Sequence, residues 1–339
     1  MIKKLNPIIS MHVPPVYKTD HPVMSLSVLR YPKGFKGVAR EIIKRKGNPG
    51  IEGFVDRSKL FILESKDGLN WKRKKELKIR GINKIINEVN KRDMEFIGLE
   101  DPTICIDSKK TIHLYFTIAY RLIKQKGFGI FLGHAEGKSI WALNATKPVL
   151  SPVKKNRIWS AGFKELTISP KRYVFGRINL VEKGYGLGNT SIDAALVKDG
   201  GKDWKPIKTV ADPGKMKYSW VKGGLSPGPI LNPKFITHKN LLVGILNGRS
   251  PPRTVKNKKI YGKFCGGIFL FNPKTGDIPW ISPKPLIDDP EAKSITFVSD
   301  VIEKDKEKAL VFAHIDDSFI RAYEIDNNNL KKMLPDKTE

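Results

Sequence analysis

Cysteine is nearly absent from this chain: its 339 residues include two, Cys105 and Cys265. Two thiols so far apart make neither a disulfide framework nor a cysteine zinc site. They read as buried free thiols in a reducing compartment. Histidine is also scarce, with six residues isolated from one another in sequence. No metal-ligand motif is legible, and no glycine-rich loop opens a helix to cradle a nucleotide phosphate. There is no run of about 18 apolar residues, which excludes a membrane-spanning helix. The opening stretch MIKKLNPIISMHVPPVYKTD starts with charge but is interrupted by Asn6, Pro7, His12, Pro14 and Pro15, which argues against a secretory leader. These absences together predict a soluble cytoplasmic protein with no metal, no cofactor and no membrane contact.

Acidic residues are few as well. Lys and Arg number 62 against 34 Asp and Glu, a formal net charge of +28. A field of that sign attracts nucleic acid, anionic membranes or acidic glycans. The lysines are nevertheless spread along the whole chain, in KRKGN, KRKKELK, VKKNR and VKNKK. No compact basic tail or aromatic-interleaved basic helix stands out. The charge reads as a solvated surface, and no nucleic-acid partner is expected. Oligomeric state is not legible.

What is present is a repeat. An apolar run leads into a polar turn and then an aromatic closure in KLFILESKDGLNW, FGIFLGHAEGKSIW, SIDAALVKDGGKDW and GGIFLFNPKTGDIPW, which end at Trp71, Trp141, Trp204 and Trp280. A fifth unit, FIRAYEIDNNNL, places Leu330 in the tryptophan slot. Asp67-Gly68, Glu136-Gly137, Asp199-Gly200-Gly201, Thr275-Gly276 and Asp326-Asn327 supply residues that tolerate the positive φ of tight hairpins. Upstream of each lies another strand-like run: VMSLSVLRY, TIHLYFTIAY, RYVFGRI, LLVGILNG and ALVFAHID. Helical signal is confined to GINKIINEVNKRDMEF. The pattern predicts an all-β chain, a five-bladed β-propeller forming one domain over residues 1–339. Segments 1–20 and 327–339 are expected to be peripheral, and 78–97 to be an insertion. Ends of inner strands meet at a propeller's central funnel. Those ends carry Arg30, Tyr120 with Arg121, Arg177, Asn247, and His314 with Asp316 and Asp317, a set suited to a polyhydroxylated ligand.

The segment GLEDP then takes on meaning. By itself Glu100-Asp101 before proline reads as a turn or an ion-paired cap. GLEDP followed by the LYFTIAY strand, KLFILESKDGLNWKR, LSPGPIL with LLVGILNG, GGIFLFNPKTGDIPWISPKPLIDDPE and ITFVSDVIEKDKEKALVFAHIDDSFIRAYEI occur in one order over residues 20–326. In that order they resemble the segments of glycoside hydrolase family 130, five-bladed propellers acting on β-mannosides as inverting phosphorylases or hydrolases. The resemblance implies that Asp101 is the catalytic acid and that Asp317 holds the sugar. It also carries Arg177 and Arg30 over as binding residues; Asn247, His314 and Asp316, from their strand ends, and Glu100, from the acid pair, are expected to bind beside them. Three departures bear on phosphate. Thr103 stands where the family usually has Arg, Asn247-Gly248 where phosphorylases have His-Gly, and Leu231 where they have Lys. A phosphate dianion needs several charge-assisted donors, so the expectation is hydrolysis of an oligosaccharide. Phosphorolysis, with inorganic phosphate as co-substrate, and a non-catalytic carbohydrate-binding propeller are the alternatives. Inverting hydrolysis also needs a base; Glu165, Asp193, Asp300 and Asp316 are candidates, of which Glu165 and Asp193 are closest in sequence to Arg177.

Overall fold

In the computed structural model, residues 9–17, 20–90, 93–124, 127–152, 154–155, 158–159, 162–167, 178–184 and 190–336 are described. Among them, strand pairing produces five consecutive antiparallel meanders of four strands each. The first sheet comprises Val23–Tyr31, Gly34–Lys46, Val55–Ser65 and Trp71–Glu76. The second comprises Met94–Ile106, Ile112–Leu122, Phe128–Ser139 and Ala142–Ala145. The third holds Gly162–Thr167, Ile178–Gly184, Thr190–Lys198 and Asp203–Ala211, and the fourth Gly224–Ile230, Leu241–Arg249, Phe264–Phe271 and Trp280–Ile281. The fifth takes Thr296–Glu303, Lys308–Ile315 and Phe319–Asp326 from the end of the chain and Ile9–Tyr17 from its beginning.

The expected peripheral N-terminal segment is therefore corrected: Ile9–Tyr17 is the outer strand of the last sheet. That also removes Leu330 from the tryptophan slot, because the fourth strand comes from elsewhere. Leu330 is buried instead, on the short helix Asn327–Lys331. The expected insertion at 78–97 holds the helix Ile82–Val89, but Met94 onward already belongs to the second sheet. Glu136-Gly137 lies inside a strand, and that hairpin turns at Ile140-Trp141.

The four tryptophans of the repeat, Trp71, Trp141, Trp204 and Trp280, stand at or next to the start of an outer strand. Trp71 and Trp204 each donate their indole N–H to the carbonyl three residues back, Gly68 and Gly201, at 2.8 and 3.0 Å. Each also meets an aromatic ring on the second strand of the preceding sheet: Trp71 packs edge-on against Phe312, and Trp204 against Tyr115. A large ring at this seam buries area that a small sheet cannot bury alone. The two cysteines are buried, and burial pushes the Cys265 thiol up to about 12.

Polar side chains tie the first strands of sheets to their neighbours. Asp300 accepts from Ser27 Oγ and Val28 N at 3.0 and 2.6 Å, joining the fifth sheet to the first. Ser58 donates to Leu99 O, joining the first to the second. Thr190 Oγ1 accepts from Leu225 N between the third and fourth. Asn247 bonds both ways with Val298, its Nδ2 donating to the carbonyl at 2.9 Å and its Oδ1 accepting from the N–H at 2.7 Å.

A histidine pair lies between the second and third sheets. Burial, with His113 and Lys202 adding, lowers His134 to about 3 from an ordinary 6.5. The unfolded chain then binds more protons than the folded one between those values, so stability is complete above about 6.5 and declines as pH falls toward 3. Urea midpoints measured against pH are expected to show this decline, and His134→Gln should flatten it. Asn247→Ala is expected to strand both Val298 backbone groups, at roughly 1–3 kcal/mol for each buried group left unpaired, read as a lowered melting temperature.

Candidate active site

One cavity of about 860 Å³ is walled by residues of all five sheets. That volume is within the range of about 300–1,000 Å³ usual for small-ligand sites. It opens where first and third strands begin and second strands end: Met24 and Arg40, Ile97 and Asp101, Glu182 and Thr190, Arg249 and Phe264, Phe297 and His314.

Asp101 sits at a break in the second sheet. The register with the neighbouring strand shifts between Glu100 and Thr103, and Asp101 has φ 47°. A left-handed residue directly before proline is disfavoured, and such conformations cost about 1–3 kcal/mol. Ser25 occupies the matching break in the first sheet with φ 51°. Its hydroxyl donates to Asp101 Oδ1 at 3.0 Å, and its N–H donates to His314 Nδ1 at 3.2 Å. That places the His314 proton on Nε2, which lies 3.2 Å from Asp317 Oδ1. The His314 ring stacks on Phe297 at 5.0 Å. Asp316 and Asp317 both have positive φ, 48° and 49°, as in a two-residue hairpin turn.

Arg40 joins these groups. One guanidinium nitrogen lies 2.7 Å from Glu100 Oε1 and the other 3.1 Å from Asp101 Oδ1. Burial favours loss of the Arg40 proton, but Glu100, Asp101, Asp56 and Asp317 outweigh it and raise the pKa. Arg45 grips Asp56 through two bonds of 2.8 Å. Four carboxylates thus gather about two guanidinium groups.

Of the residues expected from sequence, Glu100, Asp101, Arg121, His314 and Asp317 line this one cavity. Others do not. Arg30 ends its strand at the opposite end, exposed, bonded to Glu303 O at 2.6 Å. Asn247 is the clamp on Val298 described above. Asp193 is paired with Lys183 at 3.3 Å and with Thr209 at 2.7 Å. Asp316 accepts from the N–H groups of Lys293, Ser294 and Ile295. Burial resists its ionisation, but those donors prevail and keep its carboxyl below the ordinary range. Asp300 serves the sheet junction, and Tyr120 is buried with its hydroxyl on Ile86 O. Arg177 lies outside the described residues, as does the side chain of Glu165. The Glu165 backbone falls at the register shift of its own first strand, between Lys164 and Leu166.

Arg40 and Asp56 were not among the expected residues, and neither were Glu182 and Arg249. Glu182 is buried on the second strand of the third sheet, and Arg249 on the same strand of the fourth. Arg249 lies over the rings of Tyr261 and Phe264 at 5.1 and 5.0 Å. Its Nε–H is buried with no hydrogen-bond partner among the described residues. Burial lowers its pKa, opposed by Glu182. The only sequence signal was position, directly after Asn247-Gly248. Loop 47–54 meets hairpin 253–260 at the rim, through Tyr261 N to Gly50 O and Glu52 N to Lys259 O, both 3.0 Å.

Replacing Arg40 by Met is expected to cost about 3–5 kcal/mol at neutral pH, the usual consequence of leaving buried charge without its counter-ion. The carboxylates left behind then hold protons more tightly folded than unfolded. The loss should therefore shrink as pH falls into the carboxylate range, which denaturation of both proteins across pH would measure.

No family model matches the chain, and no curated protein matches it in sequence. Solved structures do. β-1,2-Mannobiose phosphorylase from Listeria innocua, in complex with β-1,2-mannobiose, superposes with a TM-score of 0.67 at 13% identity, covering 98% of both chains. A structure from the GH130 family of mannoside phosphorylases, which contains glycoside hydrolases targeting β-1,2 mannosidic linkages in Candida mannan, gives 0.64 at 14%, covering 95% of this chain and 92% of that one. A mannose phosphorylase from Leishmania mexicana, in complex with phosphate, gives 0.56 at 12%, covering 96% and 91%. The chain has the fold of glycoside hydrolase family 130 along nearly its whole length.

Proposed function

We propose that this chain is a divergent member of glycoside hydrolase family 130, a single five-bladed β-propeller that hydrolyses β-mannosides or related oligosaccharides with inversion. The carrying observation is the carboxylate cluster. Asp101 is held in a left-handed conformation, on the wall of a cavity that five sheets share, among more carboxylates than cations. The closure of five blades is supported by contacts in cyclic order, with Asp300 on Ser27 and Trp71 on Phe312 bringing the last sheet to the first. Two buried thiols suit the cytoplasm.

In this reading Asp101 gives its proton to the glycosidic oxygen as the bond from the sugar's anomeric carbon breaks. A water attacks that carbon from the other face and loses its proton to a carboxylate base. We assign the base to Glu182, which lines the same cavity from the third sheet. His314 and Asp317 are placed to hold sugar hydroxyls, and Phe54, Phe128 and Tyr261 offer apolar ring faces. The unpartnered Arg249 Nε–H is a donor for a ligand oxygen.

Hydrolysis is favoured over phosphorolysis by where the expected phosphate positions fall. Leu231 is fully buried in the core, and Asn247 is spent on Val298. The described cavity lining carries Glu52, Asp56, Glu100, Asp101, Glu182 and Asp317 against Arg40, Arg121, Arg249 and Lys258. A dianion gains little there.

Incubation with β-mannooligosaccharides at saturating inorganic phosphate is the test. Free sugar as the only product is expected; sugar 1-phosphate would overturn hydrolysis. Asp101→Asn is expected to lower kcat by about 10²–10⁴, the usual worth of a general acid, with ligand affinity nearly kept. An Asp101→Asn protein of full activity would remove Asp101 from the chemistry. If wild type binds such sugars and cleaves none, the chain is a carbohydrate-binding propeller.

A further inference from the structure

A second cluster lies away from the cavity, on the face of the second sheet that meets the third. His113 and Glu136 are direct cross-strand partners, and His134 sits opposite Tyr115 two register pairs along, on the same face of the sheet. His113 and His134 are buried, and their rings stack at 5.3 Å. Nδ1 of His113 faces Nε2 of His134 at 3.1 Å. One ligating atom each of His113, His134 and Glu136 lies within 4.8 Å of the others.

We propose that His113, His134 and Glu136 bind one divalent transition-metal ion, with zinc(II) the best match. Two imidazoles and a carboxylate are a borderline donor set, and three protein ligands with an open fourth position are a familiar zinc arrangement. Two nitrogens on a tetrahedral zinc, at about 2.0–2.1 Å each, stand roughly 3.3 Å apart. The observed 3.1 Å is close to that separation, and both rings must turn for their lone pairs to converge on one ion.

The outer partners are those a metal-bound imidazole uses. His113 Nε2 faces Asp107 Oδ2 at 3.4 Å, which orients its proton away from Nδ1. His134 Nδ1 lies 2.9 Å from Thr146 Oγ1. That hydroxyl donates in turn to Lys147 O at 3.1 Å, so it can accept a proton from Nδ1. With His134 protonated on Nδ1, the Nε2 lone pair points at the Nδ1 lone pair of His113. Two facing lone pairs need a cation between them. Moving His134's own proton from Nε2 to Nδ1 readies both nitrogens, and no proton leaves the pair. Lys202 Nζ sits 2.6 Å from Glu136 Oε1, on the partly exposed side. Lys202 occupies one carboxylate oxygen and leaves Oε2 for the metal.

The competing state is an N–H···N hydrogen bond between the two rings, with Thr146 donating to Nδ1. Calorimetric titration of the chelator-treated full chain with zinc chloride separates the two, with metal analysis after desalting. One tightly bound equivalent is expected, a raised melting temperature with it, and visible d–d absorption when cobalt(II) replaces zinc. Glu136→Gln, at a half-buried position, is expected to weaken binding by about 10–100-fold, and His134→Gln to abolish it. Absence of a stoichiometric ion in the wild type would overturn the site, as would equal binding by both variants. Because the readouts are binding and absorption, the outcome is independent of the proposed glycosidase activity.

Discussion

Arg40 is the interaction on which the cavity depends. It is a buried cation on the first sheet, reaching Glu100 and Asp101 on the second and influenced by Asp56 and Asp317. A planar guanidinium can hold two carboxylates side by side with separate N–H groups, which an ammonium cannot do with the same geometry. Without that grip the wall of the second sheet would carry two adjacent acids with no counter-charge. With it, first, second and fifth sheets have their starting ends drawn to one point.

The backbone makes a second contribution. Adjacent residues on a regular strand point to opposite faces, so Glu100 and Asp101 could not both reach Arg40 from an unbroken strand. The register shift after Glu100 and the left-handed Asp101 bring both carboxylates to one guanidinium. The conformation is costly before Pro102 and is held by fixed partners: Arg40 on the side chain and Ser25 on the same oxygen. Strain kept in place by surrounding contacts is a common mark of working sites. Charge is divided in the same spirit. A chain of +28 overall lines its cavity with more acids than bases among the described residues. Among the described lysines, Lys258 alone is in that lining, and the rest of the lysine charge lies elsewhere.

The fold was legible because hairpins advertise themselves locally. A run such as KLFILESKDGLNW contains strand, turn and closing ring within one short window, and Trp71 and Trp204 do repeat the same indole-to-carbonyl bond. What failed was non-local. Nothing in ISMHVPPVY says that its partner is Phe319–Asp326, some three hundred positions later. The role of the paired acids was found through the ordered resemblance, which also led to Asp317, while His314 came from its place at a strand end. Arg30 and Asn247 misled for a geometric reason. The cavity opens where first strands begin, and Arg30 is where one ends. Asn247 has the residue type of a sugar ligand, but its amide matches a backbone N–H and C=O pair equally well, and Val298 supplies both.

Glu182 and Arg249 show the limit from the other side. Each is a single charged residue near the end of an apolar second strand, and such residues are ordinary in surface hairpins. Their meaning comes from convergence: second strands end at the cavity in every described sheet where one is placed, so Arg121, Glu182, Arg249 and His314 are brought together by topology alone. An antiparallel meander beginning at the cavity must return to it once before it leaves for the outer strands. The end of the second strand is therefore the position at which a repeat of this kind can add a functional group without disturbing the hairpin that follows. Arg249 fits that rule closely. It rests on Tyr261 and Phe264, keeps one bond to Gly223 O, and leaves a buried N–H for whatever enters.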